Sequence, residues 1–151
     1  MGFEPFDTSL IVQRLANAVP ALQAVGNMAD YAAVQELRSF RTPSAYVVFG
    51  EEQNTGKVPA SIGVCTQESV VEIGVVLALR HYREQGGGQM AAQTRQLIGQ
   101  VRCALLGWRP EVSGARVLEW QAGRVLDYDA GVLLFADRYV LRYLLHKEST
   151  A

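Results

Sequence analysis

The sequence predicts an α+β fold: a largely antiparallel β-sheet, with a mixed sheet allowed, packed against two long helices and carrying an extended hairpin loop. Three observations lead there. Apolar residues recur at helical spacing over residues 8–22 and 89–106. Segments rich in β-formers, or alternating between apolar and polar residues, occupy 44–50, 70–80, 116–128 and 132–145. These strands come in two consecutive pairs, and strands joined by a turn pair antiparallel.

The first helix places Ile11, Leu15, Ala18 and Leu22 on one face, and Asp7 and Thr8 can cap its free N–H groups. Pro20 removes a backbone donor and disfavours helical geometry at Val19, so the helix stops or kinks there. Gly26-Asn27 reads as a turn, and residues 29–37 as a short second helix opened by Asp30. After Thr42-Pro43, residues 44–50 form a strand, and the polar run 51–60 connects it to the next. In that next strand Val71, Ile73, Val75, Leu77 and Leu79 share one face. Its other face is only partly polar, so a helix or another subunit is expected to cover it. Gly86, Gly87 and Gly88 permit a sharp reversal into the second long helix, whose buried stripe is Met90, Thr94, Leu97, Ile98, Val101 and Leu105. Arg102 falls opposite that stripe. Gly107 suits a left-handed C-cap and Pro110 prevents resumption. Two strands follow, the first broken at Ala122-Gly123 and the pair joined through Asp129-Ala130-Gly131. The 151 residues suffice for one domain spanning 1–151, with no repeat or internal linker.

Composition narrows function by exclusion. A formal charge of -1 gives no basic excess of the kind that neutralises phosphates, so non-specific nucleic-acid binding is not expected. The first ten residues lack the basic start of a signal peptide, and no run approaches the about 18 apolar residues of a membrane span, so a soluble protein is expected. Cys65 and Cys103 are far apart without metal-ligand spacing and read as small apolar thiols.

Chemistry-bearing clusters are sparse. His81 and His146 have no acid or cysteine at ligand spacing, and a metal site needs three or four donors. Both read as surface residues. No nucleophile elbow of the G-x-S-x-G type occurs. The three glycines before a helix could approach a phosphate, but Gln89, Met90 and Ala91 follow where a phosphate loop needs Lys-Ser/Thr. Asp137 is the unusual acid: it alternates with Phe135, Tyr139, Leu141 and Tyr143, and a half-buried carboxylate requires a partner. Arg138 and Arg142 lie on the strand's other face, so that partner must come from elsewhere. A structural or inter-subunit ion pair is favoured over acid–base chemistry. Trp108 and Trp120 read as core anchors. No catalytic residue, metal or cofactor is expected.

Several stretches, taken in order, resemble the tail-terminator proteins of long-tailed bacteriophages. They are the Phe6-Asp7 helix with Arg14-Leu15, Ala29-Asp30-Tyr31-Ala32-Ala33, and Thr42-Pro43-Ser44-Ala45-Tyr46-Val47-Val48-Phe49. Residues 75–80, the helix end Leu105-Leu106-Gly107-Trp108-Arg109-Pro110 and Asp137-Arg138-Tyr139 complete the likeness. The resemblance spans nearly the whole chain. It implies an α+β virion protein, made in the host cytoplasm, that closes with itself into a ring, typically a hexamer. The ring sits on the head-proximal end of the tail tube, ends tube polymerisation and meets neck or head-completion proteins, while DNA passes through its lumen. A heterologous interface that closes makes a ring, whereas one that does not makes a filament. Alternatives are another tail or neck component and, further off, a nucleotide-binding module on the triple glycine. Interface contacts are expected from Glu51, Glu52, Lys57, Arg80, Arg83, Asp137, Arg138 and Arg142.

Overall fold

A computed structural model describes residues 3–55, 64–80, 92–129 and 131–148. Among them, five strands form one mixed sheet in the order β1-β2-β3-β5-β4. The elements are α1 (Ser9–Ala18), β1 (Ala24–Asn27), α2 (Met28–Ala32), a 3₁₀ turn (Leu37–Ser39), β2 (Ser44–Asn54), β3 (Val64–Arg80), α3 (Ala92–Leu105), β4 (Glu119–Asp129) and β5 (Val132–Glu148). Every strand pair is antiparallel except β1–β2, which is parallel.

The expected helix over 8–22 ends at Ala18. Val19 leaves helical geometry ahead of Pro20, although its N–H still reaches the Leu15 carbonyl. Ile11, Leu15 and Leu22 are buried as expected, because the chain beyond the helix keeps covering the same sheet face, but Val19 joins them in place of Ala18, which is exposed. Residues after Pro20 form β1 rather than a turn, with Ala24 opposite Ser44 and Asn27 opposite Val47. Asn27 then caps α2 through a reciprocal box: its Oδ1 accepts from Asp30 N (3.1 Å), and Asp30 Oδ2 accepts from Asn27 N (2.9 Å). That box starts the second helix at Met28, one residue before the expected position, and the helix stops at Ala32.

The two long helices and the hairpin loop are accordingly reduced. α1 is 10 residues and α3 is 14, and the expected start of α3 at 89–91 lies outside the described residues, as do the triple glycine and His81. The polar run 51–60 begins as strand: β2 continues to Asn54 after a register shift between Phe49 and Glu52, and its later part lies outside the described residues. The break expected at Ala122-Gly123 is a pair of bulges, one between Trp120 and Ala122 and one between Val125 and Asp127, within a continuous β4.

Both sheet faces are covered in part. Val71, Ile73, Val75, Leu77 and Leu79 of β3 meet α1 and α3 in the main core, joined by Phe135, Tyr139, Leu141 and Tyr143 of β5. On the other face Tyr46, Val76, Ala78 and Leu134 pack under Phe40, with Tyr31, Val34 and Leu37 around them. The cover anticipated for the second face of β3 is therefore the segment from α2 through the 3₁₀ turn. Arg14 ties the helices together: its Nε donates to the Ala104 carbonyl (2.9 Å) near the end of α3, and its guanidinium lies 5.5 Å from the Trp108 ring centre. A cation at a helix C-terminus complements the dipole there. Gly107, at φ 78, ends that helix as its position predicts.

Candidate functional site

The sheet carries one sealed ionic centre and one open edge. Asp137, midway along β5, is wholly buried. Its partner is Arg102 of α3, which the helical pattern had placed on the outer face. Arg102 Nε donates to Oδ2 at 3.0 Å and Nη2 to Oδ1 at 2.8 Å, a two-point pair. Trp120 Nε1 donates to Oδ1 at 2.9 Å, and the Tyr139 hydroxyl approaches Oδ2 at 3.5 Å. A sealed carboxylate is tolerated only with such a set of donors, since desolvation alone costs several kcal/mol or so. The guanidinium also stacks 4.8 Å from the Trp120 ring centre and 5.6 Å from that of Phe135.

Gly123 makes this seat possible. It is the β4 partner of Asp137, and a Cβ there would stand 2.6 Å from Arg102 Nη2 and 2.7 Å from Asp137 Oδ1. The cluster pins α3 across β5 to β4. It also shifts titrations. The hydrogen bonds to Asp137 hold the Arg102 guanidinium above its ordinary range against the opposing effect of burial. Burial first, and the Asp137 charge second, push the Tyr139 phenol upward.

A second carboxylate cluster closes the other end of the sheet. Glu52 accepts from Ser69 Oγ at 2.6 Å and from the Tyr143 hydroxyl, while the Phe6 ring lies 6.0 Å from that of Tyr143. Burial, then the Glu52 hydrogen bond, raise the Tyr143 phenol.

β4 is the open edge. It is the terminal strand of the sheet among the described residues. Of eight large apolar side chains exposed among the described residues, four belong to β4: Trp120, Val125, Leu126 and Tyr128. Leu106 and Val117, also exposed, flank it. That concentration exceeds the single, scattered apolar residues normal on a protein surface. Trp120, expected as a core anchor, is 41% exposed, although its Nε1 bonds Asp137 and its ring stacks on Arg102.

The expected contact residues fall in different places. Glu51, Arg80 and Arg138 are exposed, and Glu51 accepts from Gln53 Nε2 at 2.7 Å. Arg142 is half-buried, 3.9 Å from Glu68. Glu52 and Asp137 are engaged inside the chain as described, and Lys57 and Arg83 lie outside the described residues. The six that are described do not lie in one patch. His146, expected on a polar tail, is a half-buried residue of β5 whose Nδ1 lies 2.6 Å from Thr66 Oγ1. Cys103 is an exposed free thiol on α3. Among the described residues, no three His, Cys, Asp or Glu side chains converge as a metal site, and no helix is long and apolar enough to cross a membrane. The β4 surface was missed in the sequence because an edge strand and a central one carry the same β-formers. The run Trp120, Val125, Leu126, Tyr128 was the available signal.

A buried ion pair locks the elements of the sheet, and its terminal strand presents apolar side chains to solvent. The sequence matches the phage tail terminator protein family over residues 1–150. The chain belongs to that family and is a structural protein of the phage tail. No curated protein matches it.

Proposed function

We propose that this protein closes into a ring, a hexamer, on the head-proximal end of the tail tube, where it ends tube polymerisation and offers the surface that neck or head-completion proteins join. The observation that carries this reading is the run of exposed apolar side chains on the terminal strand β4 in a chain of the terminator family. A terminator must bind a growing end yet present no copy of it, a discrimination achieved by shape and charge at surfaces. The net charge of -1 suits a lumen through which DNA slides without sequence-specific binding. Exposed Glu51, Arg80 and Arg138 supply polar contacts to the tube or neck, together with Lys57 and Arg83. Synthesis takes place in the host cytoplasm. Purified protein, alone or added to tail tubes, gives rings by electron microscopy and native mass spectrometry, and virions lacking it carry tubes of uncontrolled length. Protein that stays monomeric even with tubes present overturns the reading.

A further inference from the structure

Where the segment ahead of α1 passes the end of β5, it leaves a cavity of about 560 Å³. Pro5, Phe6, Val112, Tyr143 and Leu144 form its apolar wall. Three separate parts of the chain hold that wall in place. Phe6 and Tyr143 are buried, with ring centroids 6.0 Å apart. The turn after Pro110 is bonded to β5, Leu144 N donating to the Ser113 carbonyl at 3.2 Å and Arg116 N to the Arg142 carbonyl at 2.9 Å. Gly114, at φ 66, lets this turn lie against β5, since a Cβ there would clash with Leu144 Cγ and Cδ1.

The charged part of the wall has one sign. Glu4, Asp7 and Glu111 line it and are exposed, and among the described residues no Lys or Arg joins them. The chain as a whole has 14 Lys and Arg against 15 Asp and Glu, so this wall departs from the average surface. Asp7 Oδ1 accepts from Ser9 N at 3.0 Å, which fixes its carboxylate at the start of α1. His146 also lines the cavity, its Nδ1 turned to Thr66 Oγ1. A smaller cavity of about 300 Å³ shares Pro5 and is lined by Glu52 and Glu68. Those two acids are already engaged by Ser69, Tyr143 and Arg116. The larger cavity is the one that combines an apolar wall with carboxylates open to solvent.

The geometry points to a docking site for an arginine or lysine side chain carried on a segment of another protein. Such a side chain fits both kinds of wall, because its methylenes cover apolar surface while its charge reaches a polar rim. Carboxylates at a cavity mouth attract a cation more strongly than in open water, since protein replaces part of the solvent. An apolar occupant would bury them uncompensated, and an anionic one would be repelled. The volume lies within the range of small-ligand pockets, about 300–1,000 Å³. The site is distinct from the β4 surface, so it goes beyond the ring reading and stands or falls without it.

Fluorescence anisotropy of a dye-labelled pentapeptide, Ala-Leu-Arg-Leu-Ala with blocked ends, titrated with the full chain tests the site. Saturable binding is expected, weakening several-fold as salt rises from about 0.05 to 0.5 M, and a Glu-for-Arg peptide stays free. Glu111→Lys and Glu4→Lys each weaken binding about tenfold with the melting midpoint unchanged. Val112→Trp, which fills the cavity at constant charge, blocks it as well. Glu119→Lys, at an exposed acid of β4, leaves it intact. No saturable binding overturns the site, as does full binding by Glu111→Lys. An equal loss in Glu119→Lys reduces the effect to general charge attraction and overturns it too. Spermidine that displaces the peptide at equal concentration assigns the cavity to free polyamines and overturns the protein partner.

Discussion

Asp137 and Arg102 form a two-point ion pair in which the carboxylate is sealed at 0% exposure and the guanidinium side chain keeps 36%. The two ends of one bond therefore have different alternatives. Without Asp137, Arg102 can turn toward water. Without Arg102, Asp137 remains as a buried anion held by Trp120 and Tyr139. Arg102→Met is expected to cost about 3–5 kcal/mol. Asp137→Asn, discounted because its orphaned partner is solvated, is expected to cost about 1–2 kcal/mol. Urea denaturation of both variants gives the order, and the double variant Arg102→Met/Asp137→Leu should lie closer to wild type than Arg102→Met alone. The reverse order would refute this account of the centre.

Gly123 is the space that the pair occupies. Gly123→Ala brings a methyl to 2.6 Å from Arg102 Nη2 and 3.0 Å from Phe135 Cζ. We expect a loss of about 1–3 kcal/mol, accompanied by a change in Trp120 fluorescence as the stacked guanidinium shifts. Unchanged stability and emission would show that β4 slides away without cost.

Gly99 is the contrasting case. It lies mid-helix, exposed, with no atom near its missing Cβ. Gly99→Ala removes backbone freedom from the unfolded chain and should stabilise the monomer by about 0.5–1 kcal/mol. A thermal melt reads this directly, and a lower midpoint contradicts the open geometry.

Tyr139 and Tyr143 set the alkaline limit. Both phenols are raised in the folded state, Tyr139 by burial and the Asp137 charge, Tyr143 by burial and the Glu52 bond. A raised pKa means that the folded chain holds its protons longer than the unfolded one. The stabilisation is complete below the unfolded phenol value, about 10, and is lost as pH rises through the folded values. Unfolding free energy should fall above about pH 10, with part of the phenolate absorbance appearing only as the chain unfolds. Phe replacement at Tyr139 should flatten that decline, and an unaltered slope counts against the assignment.

Periodicity carried much of the fold. The alternation in β3 named the face that α1 and α3 cover, and Gly107 marked the end of α3, because burial of one face and left-handed geometry are written in local residue types. β1 escaped notice for the opposite reason. Four residues reading Ala-Val-Gly-Asn become a strand only when β2 is alongside, and Gly26-Asn27 is by itself as good a turn. Arg102 was assigned outward because it falls off the apolar stripe of α3, yet its long side chain reaches back over the sheet. Asp137 announced that it needed a partner, and the identity of that partner was a matter of distance across three elements.

From the sequence alone came the helix and strand periods, the requirement that Asp137 be paired and the likeness that the family match supports. These depend on neighbours within a few positions or on whole-chain resemblance. Tertiary structure decided which strand stood at the edge, which arginine met the carboxylate, and that Trp120 bonds Asp137 and stacks on Arg102 while staying part exposed. Edge and centre of a sheet share the same local pattern, and only the packing of non-local strands tells them apart.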